Sequence, residues 1–157
     1  MRKSGIFQGS ARYPVREIAV HCTATQPAFM HNSRTSERVA EVRRWHVEDR
    51  GWKDVGYHYL IDRDGTIARG RAESVIGAGI AGHNRGVLHI ALFGGLGSKK
   101  TDAFSTHFTP AQDAALRALI ADIQRRADIR KISGHCDYAA KECPGFQVRT
   151  WLSGASK

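Results

Sequence analysis

The sequence lacks a long apolar run. No stretch is long and apolar enough to span a membrane. No apolar segment follows Arg2 and Lys3 at the N-terminus, because charged residues return from Arg12 onwards, so we predict no secretory signal peptide. We therefore expect a soluble chain that stays in the cytoplasm where it is made.

Cysteine is also scarce, since Cys22, Cys136 and Cys143 are the three examples in 157 residues. An odd number of cysteines without a signal peptide argues against a disulfide framework. In a reducing compartment the better interpretations are buried thiols or metal ligands.

The composition is that of an ordinary globular protein, with 41% hydrophobic and 25% charged residues, which excludes a disordered or fibrous chain. The length predicts one domain over residues 1–157, with 1–15 as an N-terminal extension, and we expect a monomer. The formal net charge of +9 indicates either a solvated basic surface or attraction to polyanions such as nucleic acid, lipopolysaccharide or anionic wall polymers.

Hydrophobic patterning predicts a single α/β domain with a central mixed β-sheet flanked by helices. We predict strands at 17–21, 57–61, 66–69, 88–93 and 129–132, with Asp64 and Gly65 in a hairpin turn. A first helix is predicted to begin at a Thr35 or Ser36 cap and to end at Gly51. A second follows a Thr109 capping box, and a short third covers 148–152. Residues 94–107 and 133–146 are predicted to be loops.

Three side chains suggest a metal site. His21 ends a predicted strand, where a sheet tends to present side chains to a site, and His135 and Cys143 bound the same predicted loop. Two imidazoles and a thiolate suit zinc, which keeps a fourth position for water when it is catalytic. On this pattern alone, a histidine and a cysteine on one loop are more often unrelated residues than ligands of one metal ion. Cys22 and Cys136, each next to a proposed ligand, are read as buried residues, with Cys136 the stronger rival to Cys143.

Six short motifs stand out in the sequence: VHCTAT at 20–25, GWKDVGYHYLI at 51–61, DGTI at 64–67, FGG at 93–95, FTPAQ at 108–112 and KECP at 141–144. Together they resemble the zinc amidase family that includes T-odd phage lysozymes and animal peptidoglycan recognition proteins. They occur in the family's order, cover nearly the whole chain and are most similar to the compact phage lysozymes.

This resemblance implies that His21, His135 and Cys143 hold one Zn²⁺ and that Tyr57 and Lys141 are catalytic. Zinc would make water nucleophilic near neutral pH, and Lys141 would help to stabilise the negative charge of the tetrahedral intermediate. Tyr57 would hydrogen-bond the attacking water or the intermediate. The implied reaction is hydrolysis of the amide bond between N-acetylmuramic acid and L-alanine in peptidoglycan.

The resemblance also implies a biological setting. We expect a phage or prophage endolysin that is made in the host cytoplasm and acts on the cell wall once the membrane is breached. The positive charge would then attract the protein to anionic envelope polymers, and this attraction should weaken with salt.

The chain departs from the family's pattern at three positions. Ala91 stands where some related amidases have a glutamate as general base. Gly79 lies where relatives often carry a histidine on the substrate groove, so we predict that His83 and Asn84 contact substrate instead, with a plain loop as the alternative. His89 replaces a usually small residue and is predicted to be buried and hydrogen-bonded.

Two other functions compete with the amidase. A recognition module of the same fold would bind wall fragments without cutting them, but loss of the cysteine ligand commonly accompanies loss of activity in such relatives, and Cys143 is present. A nucleic-acid-binding protein is suggested by charge alone. No helix-turn-helix pattern or aromatic-rich basic motif supports it, so we expect no specific nucleic-acid partner.

Overall fold

A five-stranded sheet forms the centre of the computed structural model, which describes residues 4–154. The strands are β1 Phe7–Gln8, β2 Tyr13–Pro14, β3 Glu17–Cys22, β4 Tyr59–Ile61, β5 Ile67–Arg69, β6 Val87–Leu92 and β7 Lys131–Gly134. The α-helices are α1 Thr35–Arg44, α2 Phe104–His107, α3 Pro110–Arg126 and α4 Val148–Leu152. A π-helical turn, Trp45–Asp49, continues α1, and a 3-10 turn, His135–Asp137, follows β7.

The strand order in the sheet is β5-β4-β6-β3-β7, and β1 pairs separately with β2. Strands β4, β6, β3 and β7 run parallel, whereas β5 joins β4 as an antiparallel edge strand. Both β3 and β6 are buried along their whole length, as parallel strands covered on both faces usually are. The predicted α/β fold with a central mixed sheet is confirmed.

The two faces of the sheet have different chemistry. Alternate residues of β3 and β6 form an apolar core with α3, whose stripe of Leu116, Leu119, Ile120 and Ile123 is buried as its helical spacing predicts. The opposite face carries small and imidazole side chains, because Ala19 pairs in register with His89, and His21 with Ala91. Helix α1 packs over this second face through Val42.

The helix boundaries confirm one predicted cap and correct another. Thr109 Oγ1 accepts from the Gln112 N–H at 3.0 Å, and Gln112 Oε1 accepts from the Thr109 N–H at 3.1 Å, so the capping box is confirmed. The cap predicted at Thr35 or Ser36 is wrong. Helix α1 begins one residue earlier, with Arg34 as cap, because the Thr35 hydroxyl donates to Asp62 instead.

Other boundaries also differ from the prediction, since β4 begins at Tyr59 and not at residue 57. The predicted loop 94–107 contains α2, whose Phe104 is buried against other aromatic rings. The last strand lies two residues later than predicted, because its register is set by pairing with β3 from Glu17 and Lys131 onwards. Within residues 4–154, none of the helices combines the length and apolar content needed to cross a membrane.

The described part of the predicted N-terminal extension packs on the domain. Ile6, Gln8 and Val15 are buried. The Gln8 side chain donates to the Val87 carbonyl and accepts from the Gly86 N–H, each at 2.9 Å. These contacts tie the extension to the start of β6, while the domain boundary itself stays a prediction.

Candidate metal centre and cleft

The register of two neighbouring strands brings the two candidate histidine ligands together. Strands β3 and β7 are parallel, and Val20 pairs with Gly134, so His21 and His135 follow the last paired position. Their ring centroids lie 5.0 Å apart. The carboxyl end of a parallel sheet thus places both imidazoles on one side of the domain.

Cys143 returns to the same place at the end of the loop after β7. Its Sγ lies 4.0 Å from His21 Nδ1 and accepts a hydrogen bond from the Cys22 N–H at 3.3 Å. The Cys136 N–H donates to the Cys143 carbonyl at 2.8 Å, which closes the loop. The ligand atoms of His21, His135 and Cys143 all lie within 4.8 Å of one another, whereas Cys22 and Cys136 do not belong to this group.

The three donors suit a zinc ion in type and spacing. Atoms that bind zinc tetrahedrally at about 2.0–2.3 Å lie roughly 3.3–3.8 Å apart. The ligand atoms of the three residues therefore need to move only slightly closer together to bind one ion. Burial lowers the pKa of His21 well below its ordinary value, and burial with the nearby Lys141 ammonium lowers that of His135. Both imidazoles are therefore neutral at pH 7 and have a free lone pair.

The thiol of Cys143 requires a cation to ionise near neutral pH. A hydrogen bond with Cys22 and burial both raise the pKa of Cys143 above its ordinary value. A bound divalent ion reverses this preference, because a coordinating thiol is deprotonated outright. Metal binding at this group should thus release a proton.

A cleft of about 310 Å³ opens beside these three residues. Tyr57 and Lys141 line it with His135 and Cys143, so the structure brings the predicted catalytic and metal residues to one place. The π-helical turn contributes Trp45 and His46 to the opposite wall, consistent with the frequent use of π turns at functional sites. A larger depression of about 650 Å³ lies between α2, α3 and α4, but no histidine or cysteine of the described residues lines it.

Tyr57 is a neutral phenol whose ring lies close to two imidazoles. Its ring centroid is 5.1 Å from that of His21 and 5.3 Å from that of His46. Burial and the neighbouring sulfurs of Cys143 and Cys22 raise the pKa of Tyr57 above its ordinary value. Tyr57 Oη is therefore a hydrogen-bond donor at neutral pH.

The predicted substrate contacts lie elsewhere. His83 and Asn84 line a separate depression, where His83 Nε2 lies 2.8 Å from Glu17 Oε1 and the ring stacks on Tyr138. Asn84 Oδ1 accepts from the Ile80 N–H at 3.0 Å. These contacts hold the loop before β6, and the substrate role of His83 and Asn84 stays a prediction.

Three other histidines lie outside the cleft lining. His58 is buried and satisfied, since Nε2 lies 2.8 Å from the Val75 carbonyl and Nδ1 accepts from the His89 N–H at 2.9 Å. His31 is exposed. His107 is half-buried in α2, and its ring bonds Asp102 at 2.7 Å.

Sequence reasoning missed several residues of the cleft. Trp45, Trp52 and Arg50 line it, and the Arg50 guanidinium lies 5.2 Å from the Trp52 ring centroid. The motif at 51–61 marked Trp52, whereas Trp45 and Arg50 face the cleft because of the π turn, which no residue pattern indicated. His89 was predicted to be buried, but its contact with His21, Nδ1 to Nε2 at 2.8 Å, depends on strand register.

Comparisons with known proteins show the family of the chain. The profile of the family described as N-acetylmuramoyl-L-alanine amidase matches residues 11–146. The endolysin of Enterobacteria phage T3 is 38% identical over 92% of this chain and 89% of its own length. The amidase LysC from Clostridium intestinale superposes with a TM-score of 0.71 at 26% identity, over 100% of this chain and 96% of its own. Bumblebee PGRP-SA shares the fold, with a TM-score of 0.73 at 23% identity over 96% and 87% of the two chains.

Proposed function

Because the chain belongs to the N-acetylmuramoyl-L-alanine amidase family, we propose that it is an endolysin that cuts peptidoglycan with one zinc ion bound by His21, His135 and Cys143. The bond hydrolysed joins the lactyl group of N-acetylmuramic acid to L-alanine. The observation that carries the proposal is the convergence of two imidazoles and a thiol beside a cleft that also holds Tyr57 and Lys141.

Zinc, Lys141 and Tyr57 would each have a separate role in hydrolysis of the amide bond. When bound, zinc supplies a Lewis acid that polarises the scissile carbonyl and makes water nucleophilic near neutral pH. The Lys141 ammonium stabilises the negative charge that develops on the carbonyl oxygen. Tyr57 donates a hydrogen bond from Oη to the same reacting group.

The cleft offers no carboxylate as a general base. Ala91, where some related amidases have a glutamate, is buried beside Leu60 on the sheet face that carries His21. No Asp or Glu of the described residues lines the cleft. Proton transfer therefore falls to groups other than a carboxylate of this lining.

Mass spectrometry of digested peptidoglycan tests the reaction. The zinc-loaded protein should release stem peptides with a free L-alanine amino group and leave the glycan strands intact. Binding to the wall without turnover would instead support a recognition module of the same fold, and new sugar reducing ends would reveal a different bond.

Paired cysteine variants test the ligand set. Cys143→Ser should lose bound zinc and activity, whereas Cys136→Ser changes a half-buried thiol outside the group of three and should keep both. Zinc content is measured by elemental analysis after dialysis. Undiminished zinc in Cys143→Ser, or loss in Cys136→Ser, would contradict the assignment.

A further inference from the structure

His89 occupies a prepared place next to His21. The two residues lie on adjacent parallel strands and project from the same face of the sheet. Each has an alanine as its register partner, Ala19 opposite His89 and Ala91 opposite His21, and all four residues are buried. The small partners leave room on the face for two imidazole rings.

The hydrogen bond between the two rings leaves one nitrogen of His21 for the metal group. His21 Nε2 lies 2.8 Å from His89 Nδ1, while His21 Nδ1 faces Cys143 Sγ. A metal ligand needs an unprotonated nitrogen. If His21 Nδ1 is the ligand, its ring proton is on Nε2, and His89 Nδ1 accepts it.

The ring of His89 is itself fixed from the other side. Its backbone N–H donates to His58 Nδ1 at 2.9 Å, and its ring stacks on that of His58 at 5.8 Å with an interplanar angle of 7°. His89 Nε2 is buried and has no hydrogen-bond partner among residues 4–154. The bond to His21 is thus the one polar contact that the ring makes in this part of the chain.

Gly79 packs directly against the rings of His21 and His89. A Cβ at this position would lie 2.5 Å from His89 Nδ1 and 2.8 Å from His21 Nε2. Both distances are shorter than the contacts that Cβ atoms make, so a side chain at position 79 would displace one or both rings.

We propose that His89 is a positioning residue that fixes the ring orientation and tautomer of His21, so that Nδ1 is directed at the bound zinc. The inference rests on the proposed zinc site. Partners of this kind orient ligating histidines, and their removal typically costs about 10–100-fold in metal affinity. An imidazole as the accepting partner sets this site apart from the usual carboxylate or carbonyl.

Zinc affinity of matched variants tests the role, measured by competition with a chromophoric chelator. His89→Leu should weaken zinc binding by about 10–100-fold. His89→Asn, which retains an acceptor near the position of Nδ1, should recover most of it. His107→Leu removes a half-buried imidazole that bonds Asp102 and contacts neither His21 nor His89, so it should leave zinc affinity unchanged.

Two further measurements test the role of His89 if His89→Leu fails to fold. Gly79→Ala places a Cβ against both rings where they meet, so it should disturb their hydrogen bond and weaken zinc binding with both imidazoles intact. In the zinc-loaded wild type, ¹⁵N NMR should show His21 protonated at Nε2, with a scalar coupling across the hydrogen bond to His89 Nδ1.

The outcomes separate this inference from the proposed function. If the wild type binds zinc and neither His89→Leu nor Gly79→Ala changes its zinc affinity, the role of His89 alone is overturned. A His21 proton on Nδ1 in the zinc-loaded protein has the same consequence. A wild type that binds no zinc overturns both proposals.

Discussion

Lys141 brings a positive charge to the cleft. Its side chain is exposed, lines the cleft, and lies near enough to His135 to lower the pKa of that imidazole. A cation so placed stabilises negative charge that appears only during the reaction. Its contribution should therefore be seen in turnover and hardly at all in folding or zinc binding.

Replacing this charge gives the first prediction. Lys141→Met should lower kcat by about 10²–10³-fold, the usual cost of removing one donor to an oxyanion, with zinc content unchanged. The measurement is release of amino groups from a soluble muramoyl peptide. Lys99→Met changes an exposed lysine outside the cleft lining and serves as the control. A loss below tenfold would remove Lys141 from the reaction.

The second prediction concerns the protonation state of Tyr57. Since burial raises the pKa of this phenol, it should stay protonated at about pH 10, where a free tyrosine is half ionised. Absorbance titration of the wild type against Tyr57→Phe measures this, because the variants should differ only above that pH. Tyr57→Phe should also reduce kcat while retaining zinc, and wild-type turnover in that variant would limit Tyr57 to packing.

At the scale of elements, a buried carboxylate joins β3 to its neighbours. Glu17 on β3 accepts from Ser133 Oγ of β7 at 2.5 Å and from Tyr138, and bonds His83 Nε2 at 2.8 Å. Burial acts to raise the pKa of Glu17, but the hydrogen bonds from Ser133, Tyr138 and His83 outweigh it and hold the pKa below its ordinary value. The ionised form is thus favoured in the folded protein.

The third prediction is the pH dependence that follows. A carboxylate with a lowered folded-state pKa adds stability above its unfolded pKa of about 4.5, and this is lost as the pH falls through the folded value. Glu17→Gln should destabilise the protein at pH 7 and flatten the loss of stability below pH about 4.5. Urea unfolding measures both, with exposed Glu48→Gln as control. Equal acid sensitivity in wild type and Glu17→Gln would contradict it.

At the scale of the whole molecule, the net charge of +9 gives the last prediction. Attraction to anionic wall polymers should weaken as salt is added, because the Debye length falls from about 10 Å at 0.1 M to 3 Å at 1 M. Co-sedimentation with purified walls measures binding, and walls stripped of their anionic polymers provide the control. Binding that does not change with salt would exclude this attraction.

The sequence by itself determined the elements and the donor types. Short apolar runs predicted the central strands, the capping box at Thr109 located α3, and the motifs that contain His21, Tyr57 and Cys143 indicated the family. These features depend on residues close together in the chain, so they can be recognised in one sequence. Helix boundaries and the start of β7 were less accurate, because the Thr35 hydroxyl and the register of β7 respond to distant partners.

Only the tertiary structure decided which side chains meet. Parallel register places His21 beside both His135 and His89, although these lie more than 60 residues away in the chain. The same packing engages His83 with Glu17, away from the cleft, and turns Trp45 towards it. Residue type limits the chemistry that a site can perform, but distances between atoms far apart in sequence are fixed by strand pairing and packing, which no local pattern records.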